Sequence, residues 1–219
     1  MGRAIVESLH AAGFRIAFTF NHSRDEADEL VGILDSGVVA IRAELTSPKV
    51  AAEQIFKAVQ KSFGRLDVLV NNASIYEPGE DRRAEMMAIH ADAPLLLCRR
   101  FEGYLRKSRG HVVNMVDLLV ERPVPKFAAY AASKAALWNQ TLSLARELAP
   151  QVTVNGIAPG VVAWPPGFPE SDRRKYLQRV PLGRAGTPRD VASLVRFLVT
   201  EGGYITGQIV RLDGGRSIT

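Results

Sequence analysis

Leu66-Asp67-Val68-Leu69-Val70-Asn71-Asn72-Ala73-Ser74 is the stretch that makes the rest of the chain readable. Leu66–Val70 is a short apolar run, read as a strand buried on both faces, and it stops in a polar segment at Asn71. The same unit, a short apolar strand followed by a polar or glycine-bearing turn, occurs on both sides of it. Upstream, residues 2–12 read as an amphipathic helix with Ile5, Leu9 and Ala12 on one face and Gly13 as its stop. Phe14–Phe20 reads as a strand, Ser23 can cap a helix reaching about Leu34, and Val38–Ile41 is a further strand. Ser47-Pro48 opens the next helix, with proline where its missing N–H costs nothing.

Downstream, a long helix is expected over roughly 82–106, a strand over His111–Val116, a helix over about 126–149 and a strand over Val152–Ala158. A proline-rich loop with Pro159, Pro165, Pro166 and Pro169 follows. Thr187-Pro188-Arg189-Asp190 then carries a cap, an N1 proline and an acid at N3, and the chain closes with a strand near Gln208–Leu212. Short strands alternating with helices give parallel strands joined by right-handed crossovers, hence an α/β fold with a doubly wound sheet. In such a sheet the site lies beyond the carboxyl ends of the strands. That rule selects Asn21–Arg24, Glu44–Leu45, Asn71–Tyr76, Asp117 and Pro159–Val162.

Bulk properties fit one domain over residues 1–219: 47% hydrophobic and 23% charged residues are ordinary globular values. Cys98 is the single cysteine, so no internal disulfide forms, and a reducing, cytoplasmic setting is expected. It follows Leu95, Leu96 and Leu97, which favours core packing over a catalytic thiol. No apolar run approaches the ~20 residues of a membrane span. Met1-Gly2-Arg3-Ala4 does not read as a signal peptide, and Val6 stands where a myristoylation signal needs Ser or Thr. The net charge of +5 could suit nucleic acid, but Lys and Arg are spread along the chain and no nucleic-acid motif occurs. A polyanionic cofactor explains the charge equally well. No metal site is expected.

Tyr130-Ala131-Ala132-Ser133-Lys134 places a phenol and an ammonium four residues apart on one helix face. A neighbouring ammonium lowers a phenol pKa and suits it to general acid/base work, although most such pairs are merely solvated helix faces. The pair gains meaning from its company, Asn71-Asn72-Ala73-Ser74 before it and Asn155-Gly156-Ile157-Ala158-Pro159-Gly160 after it. With Gly186-Thr187-Pro188 and Asp213-Gly214-Gly215, these motifs resemble the short-chain dehydrogenase/reductase family across essentially the whole chain. The resemblance implies a single Rossmann-type domain in which Tyr130 donates a proton. Lys134 would bind the nicotinamide ribose and tune that tyrosine.

One departure narrows the resemblance. The family usually has a serine three residues after an asparagine on the strand before the tyrosine. Here that asparagine is Asn114, Asp117 takes the serine's place, and no Ser or Thr lies between His111 and Tyr130. Asp117 resembles the aspartate of pteridine reductases and dihydromonapterin reductases. A carboxyl can accept, donate and relay a proton, as reduction of a ring C=N requires. The plainer reading is a carboxylate that caps a turn. The same resemblance makes Ser74 a polar substrate contact and Tyr76 a stacking wall for a pterin, with surface packing as its alternative. Trp164 and Phe168 are further candidate walls. His90 stands where many members have an asparagine that organises a proton-relay water; it serves that role or is a packed helix residue.

Asn21-His22-Ser23-Arg24 at the end of the second strand offers donors and a positive charge, which favours NADPH over NADH. Glu44, Leu45, Asn72, Ala73, Ser74, Lys134, Pro159, Gly160 and Val162 complete the implied cofactor contacts. The resemblance also implies a first strand and a T-G-x-x-x-G-[IL]-G turn, of which only Gly2 has a counterpart. The expectation is therefore a sheet without its first strand, and a working protein with roughly 15–20 more residues ahead of Met1. The implied activity is NADPH-dependent reduction of a dihydropterin, such as dihydromonapterin, dihydrobiopterin or dihydrofolate. Carbonyl or 3-oxoacyl thioester reduction is the alternative, and a non-enzymatic homologue with a deficient cofactor site is a third. A homo-oligomer, dimer or tetramer, formed through the long helices is implied as well.

Overall fold

The computed structural model of the chain describes residues 1–34, 36–165 and 167–219, so Pro166 of the proline-rich loop lies outside the described residues. The elements run α1 (Gly2–Ala11), β1 (Ile16–Phe20), α2 (Arg24–Leu34), β2 (Val38–Arg42), α3 (Pro48–Ser62) and β3 (Val68–Asn71). They continue with α4 (Arg83–Met87), α5 (Ala93–Ser108), β4 (His111–Met115), α6 (Ala128–Leu148), β5 (Thr153–Pro159), α7 (Glu170–Leu177), α8 (Pro188–Thr200) and β6 (Ile209–Leu212). The expected elements are all present, with ends displaced by no more than two residues. One helix was not expected: α7 lies in the segment read as loop.

Local chemistry explains the ends. Gly13 leaves α1 with a φ of 88°, which only glycine adopts without strain. Thr187 and Asp190 form a reciprocal capping box at α8, with Pro188 in the first turn. The expected helix over 82–106 is continuous in direction but not in winding. A π-helical turn, Ala88–Asp92, separates α4 from α5 and turns His90 inward.

Every strand pairing is parallel, and helices cover both faces. Along β4 the side chains alternate. Val112 packs with α3, α5 and α6, among Phe56, Phe101, Leu105 and Leu148. Val113 and Met115 pack on the other face with α1 and α8, among Ile5, Leu9, Val191 and Val195. This is the doubly wound layering that the strand–helix alternation implies. Cys98 is buried in the first of these cores, and burial pushes its thiol up to about 11, consistent with packing rather than nucleophilic work.

The sheet is divided. Strands β3-β4-β5-β6 form one sheet and β1-β2 another, so the facing edges of β1 and β3 are not bonded to each other. Between them runs a cleft of about 760 Å³ lined by Phe18, Val68, Val70, Leu97, Phe101 and Gly2 among others. The cleft leaves Val68, Leu69 and Val70 of β3 only partly buried, whereas Val112 and Val154 of the inner strands are wholly enclosed. The division falls where the expected sheet lacks its first strand.

Candidate active site

The carboxyl ends of β3 and β4 converge with α6 on one polar cluster. Asn71 Nδ2 donates to Asn114 Oδ1 at 2.7 Å, and Asn114 Nδ2 donates to Thr141 Oγ1 at 2.9 Å. These buried bonds join β3 to β4 and both to α6, fixing where α6 presents its first two turns. Tyr130 and Lys134 lie on that part of α6, 4% and 2% exposed.

The Tyr130 hydroxyl donates to Asp117 Oδ2 at 2.8 Å, and the other carboxyl oxygen accepts from Leu119 N at 2.8 Å. Asp117 therefore realises both readings of the sequence: Oδ1 caps the short 3₁₀ turn Leu118–Val120, while Oδ2 engages the phenol. Burial raises the Asp117 pKa, against the lowering effects of its Leu119 and Tyr130 bonds and the Lys134 charge. A carboxyl so placed can hold a proton and pass it to the tyrosine oxygen.

Lys134 does not act on Tyr130 in the way the sequence suggests. Its Nζ donates to Met115 O at 2.8 Å and lies 5.8 Å from the Tyr130 ring centre. The expected lowering of the phenol pKa is absent; burial, followed by the Asp117 charge, drives it well above the ordinary tyrosine range. Burial also pulls the Lys134 ammonium down to about 8, with Asp117 opposing. Desolvation, which spacing on a helix cannot show, is the largest cause.

Tyr76 is half exposed, stacks on Phe127 with ring centres 4.6 Å apart, and meets Tyr130 edge-on at 4.9 Å. It thus forms an open aromatic wall directly beside the phenol. Ser74 is near the same point and engages His90 Nε2 at 3.0 Å. Trp164 stacks on Phe168 at 5.1 Å and meets Tyr176 edge-on at 5.5 Å. No contact brings Trp164 to Tyr130 or Asp117 among the described aromatic pairs. Tyr176, in the unexpected helix α7, reaches the end of β5, where its hydroxyl accepts from Val161 N at 3.3 Å. Gly160 is packed so closely that a Cβ there would lie 3.1 Å from Asp213 Cα, and Val162 is in contact with Gly186.

The other candidate cofactor residues gather at the ends of β1 and β2. Asn21 Nδ2 donates to Glu44 Oε2 at 2.5 Å, and Glu44 also accepts from Thr46 N and Oγ1. Glu44 is thereby held by protein donors, and these bonds lower its pKa. A cavity of about 240 Å³ beside it is lined by Phe20, Asn21, His22, Arg24 and Arg42. Gly2 abuts Asn72, where an added Cβ would come within 3.0 Å of Nδ2, and Asn72 Oδ1 is buried without a partner. Leu45 packs against the α3–α5 core instead of lining the cavity, and Ala73 lines the cleft between the sheets.

A family profile described as Enoyl-(Acyl carrier protein) reductase matches residues 1–217. The chain belongs to the short-chain dehydrogenase/reductase family. Pteridine reductase 1 of Leishmania tarentolae is 29% identical over 269 residues, covering 100% of this chain and 93% of that protein. A dihydromonapterin reductase of Klebsiella pneumoniae is 34% identical, covering 85% and 81%. A 3-oxoacyl-[acyl-carrier-protein] reductase, FabG, of Vibrio cholerae is 31% identical, covering 98% and 92%. The structure of an apo SCOR enzyme from Clostridium thermocellum superposes with a TM-score of 0.90 at 27% identity, covering 100% of this chain and 88% of that one. Membership of the short-chain dehydrogenase/reductase family makes the protein an oxidoreductase and leaves its substrate open between these relatives.

Three members of the site escape a reading of the sequence. Phe127 backs Tyr76, Tyr176 closes on the end of β5, and Arg42 joins Arg24 at the small cavity. An aromatic residue one turn before the family's tyrosine was an available signal for Phe127. Arg42 at a strand's carboxyl end was one for the cavity. Tyr176 had none.

Proposed function

We propose that the protein reduces a dihydropterin to its tetrahydro form with NADPH. The observation that carries this reading is the bond from the Tyr130 hydroxyl to Asp117 Oδ2, in a segment with neither Ser nor Thr between His111 and Tyr130. Reduction of a ring C=N needs a proton on nitrogen as well as two electrons and hydrogen at carbon. Tyr130 is placed to give that proton, and Asp117, whose pKa burial raises, is placed to restore it from solvent. Tyr76 offers one face for a flat ring to stack on.

The residues fit a dinucleotide phosphate in part. Arg24 and Arg42 suit a 2′-phosphate, Asn72 has a buried acceptor without a partner among the described residues, and Gly2 permits close backbone approach; the family resemblance assigns the ribose to Lys134. Bound there, the reduced nicotinamide supplies hydride to the ring carbon. Arg42→Ala is expected to weaken NADPH about ten-fold or more while leaving NADH nearly unchanged, as loss of a charge-assisted contact implies. Equal loss for both cofactors, measured as KM ratios, removes Arg42 from the phosphate site.

The deciding experiment compares NADPH oxidation with dihydrobiopterin and with a 3-oxoacyl thioester. A higher kcat/KM for the thioester overturns the proposal in favour of carbonyl reduction, the reading that the Vibrio cholerae relative supports. A third reading, a homologue without turnover, is favoured by the divided sheet. It predicts no reduction of either substrate even when a strand and a glycine-rich turn are added ahead of Met1. We also propose assembly as a dimer or tetramer through the α5 and α6 helices.

A further inference from the structure

We propose that Ser74 supplies the hydroxyl that stabilises the Tyr130 phenolate, and that His90 is the positioning residue that holds this hydroxyl ready. The proposal rests on Tyr130 as the proton donor but not on which substrate takes the proton.

His90 is 1% exposed, turned inward by the π-helical turn, and bonded on both ring nitrogens. Ile75 N, which can only donate, reaches His90 Nε2 at 3.1 Å, so Nε2 carries the lone pair and Nδ1 the proton. The other side agrees. Nδ1 lies 2.8 Å from Ser133 Oγ, whose own hydrogen goes to Tyr130 O at 2.7 Å, so Ser133 accepts from the ring. Burial and the Lys134 charge together hold the imidazole neutral, with its pKa down to about 3. A ring in this state is a poor proton carrier but a fixed acceptor.

Ser74 Oγ lies 3.0 Å from the same Nε2. One lone pair therefore faces two donors, the Ile75 amide and the Ser74 hydroxyl, and that hydroxyl has a second acceptor in Ile75 O at 3.4 Å. The amide is bound to the backbone and stays. The hydroxyl can rotate, and leaving Nε2 strands nothing, because Ile75 N still satisfies it. The phenol neighbours the same imidazole: the ring that Ser74 Oγ touches at 3.0 Å meets the Tyr130 ring edge-on at 5.4 Å, and a hydroxyl donated to the phenol oxygen favours its ionised form. When the Tyr130 O–H bond breaks and its proton passes to substrate, the electron pair stays on the phenolate oxygen. The Ser74 O–H then swings from Nε2 to that oxygen, and returns when Asp117 restores the proton. The hydroxyl missing after β4 is thus provided from the turn after β3.

Two measurements test this. In the resting protein, nitrogen NMR of His90 is expected to show a neutral ring protonated on Nδ1 across the neutral pH range. Protonation on Nε2, or titration in that range, overturns the proposal whether or not a substrate is known. For the reaction, Ser74→Ala is expected to lower kcat by about ten-fold or more and to shift the tyrosine-dependent limb of the pH profile upward by about one unit. Ser74→Thr, which keeps the hydroxyl, should restore most of the rate. His90→Asn, with an oxygen acceptor, should fall between wild type and His90→Leu, and thermal melting identifies any variant that fails to fold. These ratios are read with whichever of the two substrates the wild type reduces. Failure of the pterin reading thus leaves the test intact, whereas full kcat and an unshifted profile in Ser74→Ala overturn the proposal.

Discussion

Tyr130→Phe is expected to lower kcat by roughly 10²–10⁴-fold, the usual contribution of a positioned general acid. The change removes one oxygen from a side chain that is 4% exposed and leaves the ring to meet Tyr76 and His90 as before. Cofactor binding should therefore change little, and the loss should appear in kcat and not in KM for NADPH. The fold should feel one defect. Asp117 Oδ2 loses its donor, and because burial already raises the Asp117 pKa, the variant's carboxyl should take up a proton more readily than the wild type's. Steady-state kinetics beside a thermal melt separates the chemical loss from the structural one. Full activity in a folded Tyr130→Phe protein eliminates the mechanism proposed above.

Asp117→Ser should change which reaction is favoured. A serine at that position can steady a carbonyl oxygen but cannot return a proton to Tyr130 as a carboxyl does. Dihydropterin reduction is expected to fall by about 10²-fold or more, with 3-oxoacyl thioester reduction retained or increased. The pH dependence has a definite sign. A carboxyl whose pKa is raised by burial is more fully protonated as pH falls, so the wild-type rate with a pterin should rise toward acid pH. Asp117→Asn, able to keep the Leu119 contact through its amide oxygen, should flatten that rise. Equal losses for both substrates would assign Asp117 to the turn alone.

The sequence made some of this site readable and hid the rest for physical reasons. Ser47-Pro48 and Thr187-Pro188 announced α3 and α8 because a first-turn proline, joined at Thr187 by a capping side chain, acts locally. Tyr130, Asp117 and Asn114 were legible through the family pattern that their order and spacing resemble, and the fold brings Tyr130 and Asp117 into contact. Helix α7 was not: ESDRRKYL has no apolar stripe and buries no residue, so periodicity gave no signal. Arg42 and Tyr176 join the site through contacts distant in sequence. The raised Tyr130 pKa was unreadable because it comes from burial, a property of the packed molecule and not of a spacing. Trp164 stands beside Phe168 and Tyr176, a grouping that its place in the proline-rich loop did not show.

The division of the sheet also bears on how the molecule comes apart. Among the described strands β1 and β2 pair with each other and with no other, and a two-stranded ribbon is marginal in water by itself. What ties it to the remainder is side-chain packing, such as Ile16 and Val38 in the core shared with α1 and α8. Loss of that packing frees the ribbon without breaking any ladder of the four-stranded sheet. Amide exchange should accordingly resolve two cooperative units, with β1 and β2 exchanging through a low-energy opening and β4 and β5 only through global unfolding. A single midpoint would then describe neither unit, and denaturation followed by one probe would understate the stability of the half that carries Tyr130.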